Sequence, residues 1–237
     1  MIIYQGPSLL DGAPIVAIAT GLNSRSVNAK TGDMVQTWIM RSDIAPHVAL
    51  ASGQDYSVCG NCKHRPINGG ACYVNVIQAP LSVWKAFQRG VYSVAPDVAA
   101  IGRGKNVRLG SYGDPAAVPV EIWQALVSES VMHTGYTHQW NTEFDYGLRG
   151  LCMASTDTPE ELERARFLGW RSFRVRCEDE PLKERESVCL ASDEGLNKLN
   201  CATCGACNGA DSGRRGSIAI VVHGSRKNRY VQLRKSL

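Results

Sequence analysis

No stretch of this chain approaches the roughly 20 consecutive apolar residues that a membrane-spanning helix needs, so a membrane protein is not expected. No Walker A loop, HExxH or GxSxG is present, which removes the sequence signs of a P-loop nucleotidase, a zincin and a nucleophile-elbow hydrolase. The opening residues lack a basic patch, and Asp11, Gly12 and nearby prolines interrupt the apolar ones. No cleaved export signal is expected, and the chain reads as cytoplasmic. Low-complexity segments and long linkers are also missing, so residues 1–237 read as one α/β domain. Acids are absent from Arg214 onward, where Arg214, Arg215, Arg226, Lys227, Arg229, Arg234 and Lys235 fall. That basic tail is either a solvated end or a contact for nucleic-acid phosphate.

What is present is an ordinary globular composition, with 44% hydrophobic and 20% charged residues, and nine cysteines. In a reducing compartment such cysteines are expected to hold metal rather than pair as disulfides.

Strand and helix signals alternate through the middle of the chain. NVRLGSYG (Asn106 to Gly113) reads as a strand entering a glycine-rich turn, and VPVEIWQALVSES as a helix with Pro119 near its first turn. MHTGYTHQW, GLCMAST, WRSFRVRC and SIAIVVHG read as strands, and SVCLASDE as a possible further one. Thr158-Pro159-Glu160-Glu161 predicts a capped helix ending at Gly169, and APLSVWKAFQRG another between Pro80 and Gly90. The alternation predicts parallel βαβ units, in the form of a partial or distorted TIM-like βα barrel with cysteine-rich loops. Polar residues gather where strands are expected to end. Ser111, Tyr112 and Asp114 of LGSYGDP, and His133, Tyr136 and His138 of the next strand, are candidate walls of a cofactor pocket. Arg174 is a candidate for a carboxylate or phosphate, or for pairing with a local acid. A faint internal echo links Leu151-Cys152-Met153-Ala154-Ser155 to Val188-Cys189-Leu190-Ala191-Ser192, both read as strand ends.

The cysteines form two loops, at 59–72 and 189–207. In CATCGACNG, Cys201, Cys204 and Cys207 repeat at intervals of three with small residues between, as in the loop that wraps a cubane cluster in bacterial-type ferredoxins. The ferredoxin pattern does not continue, because position 211 is Asp, so Cys189 is the expected fourth ligand. A 4Fe–4S cluster is the first reading and zinc the alternative. Cys59, Cys62 and Cys72 form the second set. They leave one iron open, take a fourth ligand from His64, Cys152 or Cys177, or hold zinc with His64. Cys152 and Cys177 otherwise read as buried thiols. The function expected from these sites is electron transfer or redox chemistry, with a redox partner protein or a small-molecule substrate. A zinc-stabilised nucleic-acid-binding protein is the alternative from a different class.

At RLGSYGDP, HTGYTHQW, TDTPEELERARFLGWRSFRV and the final cysteine run, the chain resembles phage and mobile-element proteins of the mycobacteriophage gene product eighty-eight type. The resemblance runs from about Tyr56 to Gly224 and carries no assigned activity. It implies a phage-encoded protein in a bacterial host cytoplasm. More remotely, Cys59, Cys62 and Cys72 with GSYGDP resemble the radical-SAM enzymes, although the usual CxxxCxxC spacing is replaced by CxxC and a distant third cysteine. That likeness implies a partial βα barrel and S-adenosylmethionine bound at an open iron.

Overall fold

The computed structural model describes residues 1–23, 28–144, 146–210 and 216–235. Three strands open the chain: β1 (Ile2–Pro7), β2 (Pro14–Thr20) and β3 (Val35–Arg41), each antiparallel to the one before. The run IVAIA within β2 is apolar and buried on both faces, as suits an interior strand. Helices α1 (Pro46–Ser52), α2 (Tyr56–Cys59), α3 (Ala79–Gln88) and α4 (Val98–Gly102) form the long crossover to β4 (Asn106–Tyr112), which a parallel pairing requires. Then follow α5 (Val120–Val127), β5 (Met132–Thr137), β6 (Met153–Thr156), α6 (Pro159–Phe167) and β7 (Ser172–Arg176). β8 (Glu186–Val188), α7 (Cys201–Cys204), β9 (Ser217–Val221) and α8 (Lys227–Lys235) complete the order.

All nine strands join one sheet in the order β1-β2-β3-β4-β5-β6-β7-β9-β8, and every pairing from β3 onward is parallel. The α/β class follows as expected. The sheet is open, with β1 and β8 at its edges.

The expected helix signals act where they lie. Thr158 accepts the Glu161 N–H at 3.1 Å, and Glu161 Oε2 accepts the Asp157 N–H at 2.7 Å, so the cap also fixes the end of β6. One face of the sheet is sealed by helices. Val107 and Leu109 pack with Trp123 and Leu126 of α5, and Ala154 packs with Ala165 of α6. Complete burial of a side chain such as Leu109 or Leu126 is worth ~1.5–3 kcal/mol. On the other face the alternate residues Gln36, Trp38, Arg108, Tyr136, Ser155 and Phe173 stay only half-buried. Register places them side by side: Gln36 opposite Arg108, and Ser155 opposite Phe173. Within β4, Gly110 takes φ +67 and the pairing with β3 slips there. This bulge re-aims the strand and leaves Tyr112 buried.

Two expectations from sequence change here. Cys152 precedes β6 whereas Cys189 follows β8, so their shared Cys-x-Ala-Ser has no common position in the fold. The end of the chain is the helix α8 rather than a solvated tail. Tyr230 is buried and its hydroxyl donates to Val175 O at 2.7 Å, Arg229 donates to Gly69 O, and Arg234 pairs with Glu180. Arg214 and Arg215 lie outside the described residues.

Candidate metal centre

Because β4 to β9 run parallel, their C-terminal ends share one edge, and Asp114, His138 and Asp157 follow β4, β5 and β6 there. The loop carrying Cys59, Cys62 and Cys72 is laid across that edge by specific bonds. Asp114 N–H donates to Val58 O, and the Gln139 amide accepts from Asn61 N–H and donates to Cys59 O at 3.1 Å. His64 Nε2 lies 2.8 Å from Asp157 Oδ2, and Lys63 Nζ lies 2.7 Å from the same oxygen. Gly70 permits the return of the loop: a Cβ there would stand 2.3 Å from the His64 carbonyl carbon. Cys72 N–H then closes the loop on His64 O at 2.8 Å.

The three thiols interact with one another electrostatically, Cys59 with Cys62 and Cys72, and Cys72 with Cys62. Burial raises all three, and it pushes Cys62 up to about 12. Thiols held so far above neutrality are poor nucleophiles. Two of them accept a backbone N–H two residues ahead, Cys62 from His64 and Cys72 from Val74. Such bonds favour a sulfur that carries negative charge. Tyr112 faces Cys59, Cys72 and Asp55, is 4% exposed, and its hydroxyl has no hydrogen-bond partner.

The second set gathers on the half-buried face. Cys189 follows β8, with its N–H on Ala219 O at 2.8 Å. Asn200 and Thr203 cap α7 reciprocally, and the N–H groups of Cys201 and Ala202 bond Lys30 O and Thr31 O. Arg171 pins the following loop by donating to Ala206 O at 2.8 Å, Gly209 O at 2.9 Å and Gly216 O at 2.8 Å. Cys207 O accepts the Gly135 N–H of β5. Cys189, Cys201, Cys204 and Cys207 thereby line one cavity of about 540 Å³ beside Thr134 and Tyr136. Cys207 interacts with each of the other three. It is pushed up to about 12 by burial, against a hydrogen bond donated by Tyr136. Cys189 accepts the Ala191 N–H, again two residues ahead.

All nine cysteines are free. Among the described residues, no group of three or more His, Cys, Asp or Glu side chains is gathered tightly enough to hold a metal ion. The thiols of the second set instead surround a cavity, and those of the first are held near one another by their loop. The second set is made of sulfur donors. It has one buried thiol, Cys207, and three half-buried ones, no carboxylate among the residues lining the cavity, a backbone N–H bonded to the Cys189 sulfur, and a cavity in the size range of a small-molecule site.

The remaining candidates divide. Asp114 accepts from Thr137 Oγ1, His138 N–H and Ala116 N–H at 2.7, 2.7 and 3.0 Å, so it latches β4 to β5. His138 sits beside it, with its ring 5.9 Å from that of His64. Ser111 donates to Gln36 Oε1. His133 bonds Leu151 O at 3.1 Å and does not line the cavity, whereas Tyr136 does. Arg174 is fully buried in a two-pronged pair with Glu186, at 2.8 and 2.7 Å, and is not available to a ligand. Cys152 packs against Gly135, and Cys177 beside Val222 and Tyr230; neither joins a thiol set. Sequence reasoning missed Asp157, Gln139, Tyr230 and Arg108. Asp157 carried the one usable signal, a carboxylate just before a capped helix.

Compared with protein-family models, with curated proteins and with solved structures, the chain matches none.

Proposed function

We propose that the chain is an iron–sulfur protein whose cluster is held by Cys189, Cys201, Cys204 and Cys207, and that it transfers electrons or performs a redox reaction. The observation that carries this is the four-thiol cavity on the half-buried face of the sheet. One zinc needs its four sulfurs about 2.3 Å from a common point. Thiols spread around a cavity of about 540 Å³ suit a polynuclear group better. A cluster bound there supplies one-electron transfer. The surrounding residues bury it, and the backbone N–H of Ala191 bonds its sulfur ligand. The test is iron and acid-labile sulfide content with a visible spectrum, on protein purified without oxygen. Brown protein with iron and sulfide in equal amounts, both reduced in Cys204→Ser, supports the reading. Colourless protein with stoichiometric zinc, and no colour after anaerobic reconstitution, overturns it.

A second reading has its own observation. Cys59, Cys62 and Cys72 interact with each other, and no fourth cysteine joins them. They stand at the C-terminal edge of parallel strands, where open α/β sheets place ligands. We propose for this set a cluster with one open iron, of the kind radical-SAM enzymes use, on a parallel sheet derived from an opened βα barrel. Failure of the reconstituted protein to bind S-adenosylmethionine removes this reading and leaves the first intact. The resemblance to phage proteins extends the proposal to work in a bacterial host cytoplasm. The tail as a nucleic-acid contact draws less support, since Arg229 and Arg234 hold the protein itself.

A further inference from the structure

We propose that the half-buried face of the sheet binds a small organic anion, with Arg108 pairing its carboxylate or phosphate and the rings of Tyr136 and Phe173 walling its body. Tyr136, Cys201 and Cys207 belong both to this face and to the four-thiol cavity, so probe binding is read together with iron content.

Several arginines of this protein are matched to acid, and others, such as Arg171 and Arg229, donate to main-chain carbonyls. Arg41 pairs with Asp43, Arg65 with Asp55, Arg103 with Glu129, Arg174 with Glu186, Arg176 with Glu194 and Arg234 with Glu180. Arg108 has neither kind of partner. Among the described residues its guanidinium makes no ion pair and no hydrogen bond, and it lies 5.7 Å from the centroid of the Tyr136 ring. The groups that face it are Tyr73, Tyr136, Cys201 and Cys207, all hydroxyls or thiols. A ring face compensates a desolvated cation only in part. A planar donor fork with no acceptor is the side chain best shaped for a carboxylate or phosphate.

The setting is shaped to match. Trp38, Arg108, Tyr136 and Phe173 share one face by strand alternation, and all stay half-buried while Val107, Leu109 and Ala154 behind them are sealed. Tyr136 packs edge-on to Phe173 at 4.9 Å. Its hydroxyl is engaged by Cys207, so its ring is held in place as a wall. Tyr73, 59% exposed, and Cys201 and Cys207 also face Arg108. A cation at the centre and aromatic surface around it select a small anion with a planar or apolar body.

The probes are phenyl phosphate and phenylacetate, titrated calorimetrically at low ionic strength into the full chain as purified without oxygen. Iron is measured on the same samples. At least one probe is expected to bind, and Arg108→Gln to weaken it about tenfold or more, with Arg108→Lys in between. Arg226→Gln, in the shallow basic cavity formed with Gly69 and Gly70, is expected to bind as the wild type does. The proposal is overturned if neither probe binds the wild type. It is equally overturned if Arg108→Gln binds as the wild type does, whether or not its iron content changes. Loss through Arg226→Gln instead of Arg108→Gln also overturns it, by moving the anion to the other cavity. Protein that binds the probe through Arg108 and stays colourless after anaerobic reconstitution sinks the cluster reading and leaves this one standing.

Discussion

Removing one oxygen, in Tyr112→Phe, separates a loaded first thiol loop from an empty one. Tyr112 is 4% exposed and its hydroxyl meets no acceptor, although it faces Cys59 and Cys72. A buried polar group left without a partner costs ~1–3 kcal/mol. Phenylalanine keeps the ring and its packing and discards that cost. In the metal-stripped chain the substitution is therefore stabilising, and at ~2–4 °C per kcal/mol for a chain of this size the unfolding midpoint rises by several degrees. If the loop holds an anionic sulfide-bearing group, Tyr112 donates to it, and a hydrogen bond to a charged acceptor contributes ~1.5–3 kcal/mol. The loaded protein then loses stability in Tyr112→Phe, and the sign reverses between the two forms. Scanning calorimetry on iron-loaded and chelator-stripped samples measures both. A rise of equal size in both forms shows that nothing bound there accepts from Tyr112. A fall of equal size shows that the hydroxyl has a partner already in the stripped chain. Either result refutes the reasoning.

The remaining predictions concern the frame. Arg174→Met leaves Glu186 charged and unpaired in the interior, and chemical denaturation is expected to show a loss of about 3–5 kcal/mol. Arg174→Met combined with Glu186→Leu should recover most of it, and a double variant as weak as the single one argues against charge burial as the cause. Burial opposes ionisation of Asp157, but the hydrogen bond from His64 and the charges of His64 and Lys63 outweigh it, so the carboxyl titrates well below its usual range. A depressed carboxyl stabilises the fold above its unfolded-state value and loses that contribution as pH falls toward the folded one. Between about pH 5 and pH 2 the wild type should thus lose stability more steeply than Asp157→Asn, and parallel acid-unfolding curves would contradict this. Gly135→Ala sets a Cβ 2.7 Å from Cys152 Sγ, and overpacking of this kind costs ~1–3 kcal/mol. Thermal unfolding reads it, and Cys152→Ala in the same chain should relieve it.

Local chemistry was legible in the sequence and distant pairing was not. The capped start of α6 and the glycine stop of α3 depend on residues a few positions apart, and both formed where their signals lay. Cys201, Cys204 and Cys207 are neighbours by their spacing alone, and Cys189 lines the same cavity from the end of β8. The opening hairpin was not read, because IVAIA has no alternation to mark it as a strand within an antiparallel pair. Helix α8 was hidden because its only buried side chain is Tyr230 among charged neighbours. Its amphipathic signal was too weak to oppose the basic composition. His64 and Asp157 are 93 residues apart, and nothing local to either announces the other. Arg174 looked available for a ligand because its acid is 12 residues away, brought back by a loop that periodicity does not describe.

The clamp on the first cysteine loop also has a timetable. Arg229 holds Gly69 O from 160 residues further along the chain, and the Tyr230 ring of the same helix lies tilted against His64 at 5.6 Å. At the rate a ribosome adds residues, those side chains emerge on the order of 10–30 s after the loop they grip. For that interval the thiols of Cys59, Cys62 and Cys72 have left the ribosome and lack their last restraint, so metal delivered during synthesis meets an open loop and metal delivered afterwards meets a closed one.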